Sequence, residues 1–235
     1  MSATRAIERV SLPEAIANDL RERILNGEFQ EGEVVRQEAL ALEYDVSRMP
    51  VRDALKLLDA EGLVQMAANR GATVVRHSLD EIREIFDLRS LLEVDLFRAS
   101  IPNLSASDLE HAEALLARMD ASYEEGDVSR WGALNQEYHS ALYSAARRSI
   151  TTDLLKGLSA HADRYVRLHL SVMERREPAK REHRDLLASA RRGDVEEGCR
   201  VLAAHIARAR DEILEMIVEK RAKEPGNVRN RKGTS

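Results

Sequence analysis

Hydrophobic residues recur at helical spacing along most of the chain, and strand-like runs occur only before residue 77. This early part predicts three helices followed by two short strands, at residues 12–26, 36–44, 48–61, 63–67 and 73–76. Asp45 and Val46 leave only a tight turn between the second and third helices, and Asn69 to Gly71 form a turn between the strands. This order of elements indicates a winged helix-turn-helix.

The later part of the chain, residues 79–221, has helical periodicity without strand alternation. It predicts six helices, at roughly 79–100, 106–125, 128–146, 150–175, 178–192 and 194–221. Ser78 stands three residues before Glu81, which is the spacing of a capping box.

The predicted fold class is therefore mainly α. An N-terminal winged helix-turn-helix domain at residues 11–76 precedes an all-helical bundle of six or seven helices at residues 79–221. A flexible arm, residues 1–10, and a disordered basic tail, residues 222–235, are expected to flank the two domains.

The third predicted helix combines a start signal with a basic face. Ser47 is expected to cap it by accepting a hydrogen bond from a first-turn amide, and Pro50 suits its opening turn. Arg48, Arg52 and Lys56 recur every four residues and share one face. The apolar stripe beside them comprises Val51, Ala54, Leu55 and Leu58. One side of this helix can pack while the other meets an anion.

Several motifs in this region resemble the DNA-binding domain of the GntR family of bacterial transcription regulators. They are Glu38–Ala41, Val46–Leu55, Leu57–Leu58, Glu61–Val64 and Asn69–Gly71. The resemblance implies a DNA-binding surface made of Arg36, Ser47, Arg48, Met49, Pro50, Arg52, Arg70 and Gly71. Within it, Arg52 would read guanine and the tip at Arg70 and Gly71 would enter the minor groove. Met49 departs from the family, which more often has threonine there.

Charge restricts how this surface can bind DNA. The whole chain has a formal net charge of −5, and residues 1–76 contain 10 Lys and Arg against 13 Asp and Glu. A protein that coats nucleic acid indiscriminately is therefore excluded. Affinity has to come from a local cationic patch and should fall as the salt concentration rises.

Three histidines in the later part lie in apolar stripes of three different predicted helices. They are His139, His183 and His205, and Asn135 lies one helical turn before the first. Two interpretations stay open: a metal site, because imidazoles from facing helices suit Zn, Ni or similar ions, or a set of hydrogen-bonded structural histidines.

Residues 79–220 resemble the FCD-type effector domain of the FadR subfamily. The resemblance is carried by Arg89 with Glu93, Tyr138–Leu142, Glu182–Leu186 and Gly193 to His205. It implies that Asn135, His139, His183 and His205 form a divalent metal site for Zn, Ni or Mn. Metal-binding members have aspartate at the position of Asn135, and a neutral amide contributes no charge, so binding is expected to be weaker or absent.

Three further residues, Arg89, Glu93 and Arg164, are expected to line the same cavity, where an arginine can bind a carboxylate through two hydrogen bonds. The alternative is that they form ion pairs on helix surfaces.

The predicted function is a ligand-responsive, sequence-specific transcription regulator, a repressor that binds two-fold operator DNA as a homodimer and responds to a small organic acid. A metal-free organic-acid sensor of the same architecture and a metal-dependent hydrolase are the alternatives. The sequence has no His-Glu-x-x-His pair, nucleophile elbow or phosphate-binding glycine loop to favour an enzyme. No apolar run approaches the ~20 residues that cross a bilayer, so a cytoplasmic protein without membrane contact is expected.

Overall fold

The computed structural model describes residues 11–67, 71–125, 128–172 and 177–223. Nine helices and three strands occur in these ranges: α1 Leu12–Leu25, β1 Val34–Val35, α2 Gln37–Glu43, α3 Arg48–Ala60, β2 Val64–Ala67, β3 Gly71–Val74, α4 Leu79–Ser100, α5 Ala106–Glu125, α6 Val128–Tyr143, α7 Ser149–Val172, α8 Glu177–Arg192 and α9 Val195–Lys223. Short 3-10 turns follow α4 and α6. The predicted fold class is confirmed: a winged helix-turn-helix precedes an all-helical bundle.

The first domain packs three helices against a small antiparallel sheet of order β1-β3-β2. Its core is built from the apolar faces of α1 and α3, including Leu20, Ile24, Val51 and Leu55. The strand β1 was not predicted, because two residues are too few to show an alternating pattern. The strand β3 begins at residue 71, two residues before the predicted start at residue 73.

Gly71 is the first residue of β3, and it is buried rather than exposed as the sequence suggested. It pairs with Ala67 and has φ +108°. A Cβ atom at this position would stand 2.1 Å from the carbonyl oxygen of Val35. Only glycine allows β1 and β3 to approach this closely.

The capping box predicted at Ser78 is present, and the start of α1 has one as well. Ser11 and Ser78 form complete capping boxes with Glu14 and Glu81. Ser47 occupies the N-cap position of α3, but its side chain makes no capping hydrogen bond, which corrects the expectation from the sequence. Its hydroxyl is exposed instead.

The second domain surrounds a core of large buried side chains, including Phe86, Phe97, Tyr138 and Leu202. The helix α4 packs along α9 and α7. The last helix, α9, continues to Lys223, so residues 222 and 223, expected in the basic tail, are helical; residues 224–235 lie outside the described ranges, as does the arm at residues 1–10. A search of the described helices finds none with the length and apolar character required to cross a membrane.

The two domains contact each other mainly through α7. Arg167 donates to the carboxylate of Glu22 on α1 at 2.7 Å, and the Tyr165 hydroxyl donates to Glu31 at 2.6 Å. Arg164 donates to the backbone oxygen of Phe29 at 2.9 Å. The fold therefore places one face of α7 directly under the DNA-binding domain.

The position of Gly71 gives a stability prediction. The substitution Gly71→Ala should lower the free energy of unfolding by about 2 kcal/mol or more, because alanine is strained at positive φ and its Cβ would overlap a backbone oxygen. Urea unfolding followed by circular dichroism measures the change.

Gly157→Ala is the matched control for this substitution. Gly157 lies within α7, and nothing would come within 4 Å of an added Cβ. Alanine should therefore stabilise the protein by about 0.5–1 kcal/mol through its higher helix propensity. Equal effects of the two substitutions would contradict the structural role assigned to Gly71.

Candidate functional site

The third helix, α3, divides its residues between the core and the solvent. Its buried residues are Val51, Ala54, Leu55 and Leu58. Arg48, Met49 and Arg52 are exposed on the other side, and Arg36 at the N-cap position of α2 is also exposed. The candidate DNA-binding surface therefore has a packed back and an accessible cationic front.

The cations of this surface differ in how they are held. Arg48 pairs with Glu38 at 3.0 Å, and Lys56 pairs with Asp53 at 2.8 Å. Within the described part of the chain Arg52 has no ion-pair partner. An exposed, unpaired guanidinium can bind the two major-groove acceptors of guanine without first breaking a protein contact.

The start of α3 is suited to an anion. Its first-turn amides donate no hydrogen bond to the Ser47 side chain, and the first turn contains no acidic side chain. Helix N-termini attract phosphate through free N–H groups and the helix dipole. Pro50 sits in this opening turn, where its missing N–H costs nothing. Of the remaining expected contacts, Arg70 lies outside the described residues and Gly71 is buried.

A second candidate site lies inside the helical domain, where three histidines meet. Ring nitrogens of His139, His183 and His205 all lie within 4.8 Å of one another. The ring centroids are 4.8 to 5.4 Å apart. The predicted convergence of these residues is confirmed, since α6, α8 and α9 each turn one histidine inward.

Hydrogen bonds orient two of the rings and leave the third unsatisfied. His205 Nδ1 lies 2.7 Å from Glu182, and His139 Nδ1 lies 3.2 Å from the Tyr143 hydroxyl. Both ring nitrogens of His183 are buried without a partner, as is the side-chain oxygen of Asn135. Buried polar atoms without partners are costly, so this pocket is built for something that binds them.

These features fit a metal ion. Burial, together with neighbouring His183 and His205, lowers the pKa of His139 well below its ordinary value, and burial also lowers the pKa of His183. The rings of His139 and His183 are therefore neutral, as ligation requires. Burial raises the pKa of Glu182, but hydrogen bonds from Arg208 and His205 outweigh it and bring that pKa to about 2. In metal sites, the ring nitrogen of a histidine that does not bind the metal is commonly hydrogen-bonded to a carboxylate.

A cavity of about 470 Å³ borders this cluster at His139. Its lining includes Asn135, His139, Arg89 and Glu93, and α7 contributes Asp163 and Arg167. Arg89 donates to Glu93 at 2.9 Å, and Glu93 also accepts from Tyr143 at 2.7 Å. The cavity is large enough for a small organic acid.

Arg164 does not line this cavity, contrary to the expectation from the sequence. Its guanidinium lies at the domain boundary against Phe29. Arg167, three residues later, takes the cavity position and was missed. The i, i+4 spacing of Asp163 and Arg167 is the signal that could have identified it.

Comparison with known families decides what these two sites belong to. Residues 12–74 match the family described as bacterial regulatory proteins, gntR family, and residues 84–208 match the FCD domain. The chain belongs to the GntR family. It is a DNA-binding transcription regulator with an FCD effector domain, and it is not an enzyme.

Individual regulators resemble this GntR-family chain over most of its length. It is 34% identical to the HTH-type transcriptional regulator BphR of Paraburkholderia xenovorans, over 83% of this chain and 82% of the relative. It is 26% identical to McbR of Escherichia coli, over 91% and 97% of the two chains. The gluconate operon transcriptional repressor of Bacillus subtilis is 26% identical, over 71% of this chain and 68% of the relative.

Solved structures support the fold of this GntR-family chain. Escherichia coli McbR/YncC matches with a TM-score of 0.78 at 22% identity, over 89% of this chain and 100% of the other. A GntR regulator from Rhodococcus sp. RHA1 matches with a TM-score of 0.73 at 22% identity, over 86% and 97%. At this identity the likeness establishes the architecture alone.

The geometry of α3 leads to a prediction for base recognition. Arg52→Ala should weaken binding to an operator selected from random duplexes by about 1–3 kcal/mol, because one bidentate contact to guanine is lost. Binding to a scrambled duplex should change much less. Fluorescence anisotropy titrations on both duplexes measure the two effects.

Arg191→Ala is the charge-matched control for this prediction, since Arg191 is an exposed arginine on α8 that pairs with Glu113. It should leave both titrations unchanged. If Arg52→Ala lowered affinity for the two duplexes equally, Arg52 would be a phosphate contact rather than a reader of bases.

Proposed function

We propose that the chain is a ligand-responsive repressor of the FadR subfamily that binds a two-fold operator as a homodimer. Its effector is a small carboxylate that enters the cavity of the helical domain and binds a divalent metal, Zn, Ni or Mn, held by His139, His183 and His205 with Asn135. The observation that carries this proposal is the cavity itself. It is lined by Asn135 and by His139, one member of the three-histidine cluster, and also by Arg167, which binds the DNA-binding domain.

A metal in this site would supply positive charge and open coordination positions to the effector. The proposed ligands are three imidazoles, neutral at His139 and His183, and one amide, so no carboxylate among them balances a divalent cation. Charge neutrality is then best reached by an anionic effector. Asn135 thus favours the binding of a carboxylate even as it weakens the binding of the metal.

The cavity favours this arrangement over a metal-free organic-acid sensor. Arg89, the inner arginine, is already bound to the buried Glu93 and has only a small exposed fraction. Binding a carboxylate directly to Arg89 would require that pair to break and leave Glu93 buried without its cation. Because one relative is a gluconate operon repressor, hydroxy acids belong in the panel of carboxylates to be tested as effectors.

Arg167 offers a direct connection between the cavity and DNA binding. Its side chain lines the cavity and donates to Glu22 on α1, which packs against the recognition helix α3. An anion near Arg167 competes with Glu22 for the same guanidinium. We infer that effector binding loosens α1 and changes the spacing of the two DNA-binding domains in the dimer.

The proposed dimer surface lies on α4 and α7. Leu88 and Leu91 on α4, and Ile150 and Leu154 on α7, are large apolar side chains that remain exposed. The two helices pack together, and Arg148 pairs with Asp95 at 2.6 Å near these residues. A second copy that covers this face would bury the apolar side chains symmetrically, as a two-fold operator requires.

Metal content and effector response test the proposal together. Untagged protein should contain near one divalent ion per chain by elemental mass spectrometry, and a carboxylate from the panel should release it from the selected operator. His183→Ala should lose both the metal and the response, because it removes a buried ligand. Its affinity for the operator without effector should be retained.

His111→Ala serves as the control, since His111 is an exposed histidine outside the cluster. It should keep the metal and the response. Protein that binds no metal after incubation with Zn, Ni and Mn, yet still responds to a carboxylate, would replace this proposal with the metal-free sensor.

The dimer surface gives a separate prediction. Leu91→Glu should convert the dimer to a monomer in sedimentation velocity experiments, because it places charges opposite each other across an apolar interface. Leu42→Glu is the matched control, since Leu42 is also an exposed leucine but lies on α2 in the other domain. A Leu91→Glu variant that stays dimeric would exclude this face.

A further inference from the structure

A second cavity lies between the two domains and shares only Arg167 of its lining with the effector cavity. This interdomain crevice has a volume of about 240 Å³. The DNA-binding domain contributes the end of α1, and the helical domain contributes α7 and α9. Its lining consists of Leu25, Asn26, Gly27, Arg164, Arg167, Leu168, Ser171 and Lys220.

Arg164 is the unusual member of this lining. Only 7% of the residue is exposed, and no carboxylate pairs with it among the described residues. Nη2 donates to the Phe29 carbonyl, but Nη1 is buried without a hydrogen-bond partner. A buried guanidinium without an anion is costly, and burial accordingly lowers the pKa of Arg164.

The acids nearest to Arg164 are committed elsewhere. Glu31 accepts from Tyr165 and from Arg221, and Glu33 accepts from the backbone N–H of Gln30. Neither forms a salt bridge to Arg164 in the described part of the chain. Both act on Arg164 only through space, so among the described residues its guanidinium has no carboxylate in direct contact and can bind an anion.

The other polar groups of the crevice add to its positive character. Lys220, in the last turn of α9, has no ion-pair partner among residues with a described structure. Arg167 is balanced by Glu22 and also donates to the side-chain oxygen of Asn26 at 3.1 Å. Because the side-chain oxygen of Asn26 accepts this hydrogen bond, its side-chain NH2 group is the part that can donate to an anion. Two uncompensated cations and an amide donor thus surround one small space.

We propose that this interdomain crevice is a second anion-binding site, which takes a small oxyanion such as a phosphate or a carboxylate on Arg164 and Lys220. The anion binds through charge-assisted hydrogen bonds to the guanidinium and the ammonium group. It joins α1 of the DNA-binding domain to α7 and α9, so it holds the two domains in the arrangement described above. The site contains none of the histidines and works without a metal.

Isothermal titration calorimetry with inorganic phosphate tests the proposal on full-length protein treated with EDTA. Phosphate should bind with a stoichiometry near one per chain. Lys220→Gln should weaken binding by about tenfold, the effect expected for the loss of one charge-assisted hydrogen bond. Arg164→Gln should weaken it at least as much, and Lys223→Gln, a charge-matched change three residues along α9, should leave it unchanged.

The variants separate this site from the metal centre. His183→Ala should bind phosphate with unchanged affinity, so the result does not depend on the proposed effector site. A parallel titration with succinate identifies the class of oxyanion: tighter binding of succinate indicates a carboxylate, and tighter binding of phosphate indicates a phosphate group.

Three outcomes would overturn the proposal. The first is that neither anion binds at 10 mM, a concentration far above the Kd of a specific site. The second is that Lys220→Gln binds phosphate as tightly as the unchanged protein. The third is that His183→Ala loses phosphate binding. If circular dichroism shows that Arg164→Gln does not fold, Lys220→Gln alone decides, because Lys220 is partly exposed at a helix end and its substitution does not threaten the core.

Discussion

The ion pair between Arg167 and Glu22 is the interaction on which the relation between the two domains depends. Arg167 is buried, so its charge needs a partner, and the partner lies on α1 of the DNA-binding domain. Removing a partner from a buried charge costs far more than a surface salt bridge contributes. The same side chain also lines the effector cavity. Any anion that reaches it must act on the position of α1, and α1 carries the recognition helix with it.

Desolvation also sets the chemistry of the histidine cluster. Burial keeps His139 and His183 neutral, and a neutral imidazole has one nitrogen free to accept a metal. Glu182 and Tyr143 occupy the outer nitrogens of His205 and His139, which points the remaining nitrogens inward. His183 has no such support, and both its nitrogens are unsatisfied in the described structure. It therefore gains most from a bound ion, which is why its substitution is the most informative.

Helical periodicity was sufficient to predict the helices and the meeting of the three histidines, because each histidine shares the phase of a strong apolar stripe. Periodicity could not choose between Arg164 and Arg167. Both are buried, since α7 packs against the bundle on one side and against the DNA-binding domain on the other. Phase gives the direction of a side chain around its helix and not the identity of the neighbour. For the same reason the sequence predicted Gly71 to be a turn residue, whereas in the structure its missing side chain lets the backbone of Val35 come close.

In the proposed metal site, Asn135 in place of an acid would link affinity for the metal to affinity for the effector. With a carboxylate ligand, the metal would be held more tightly and its charge partly neutralised before any effector arrived. With an amide, the ion is held less tightly, and an anionic effector supplies the missing charge. Binding of metal and effector then becomes mutually dependent, because each improves the site for the other. Arg89 and Glu93 are paired with each other and both line the cavity, so neither is free to bind the effector of the proposed site.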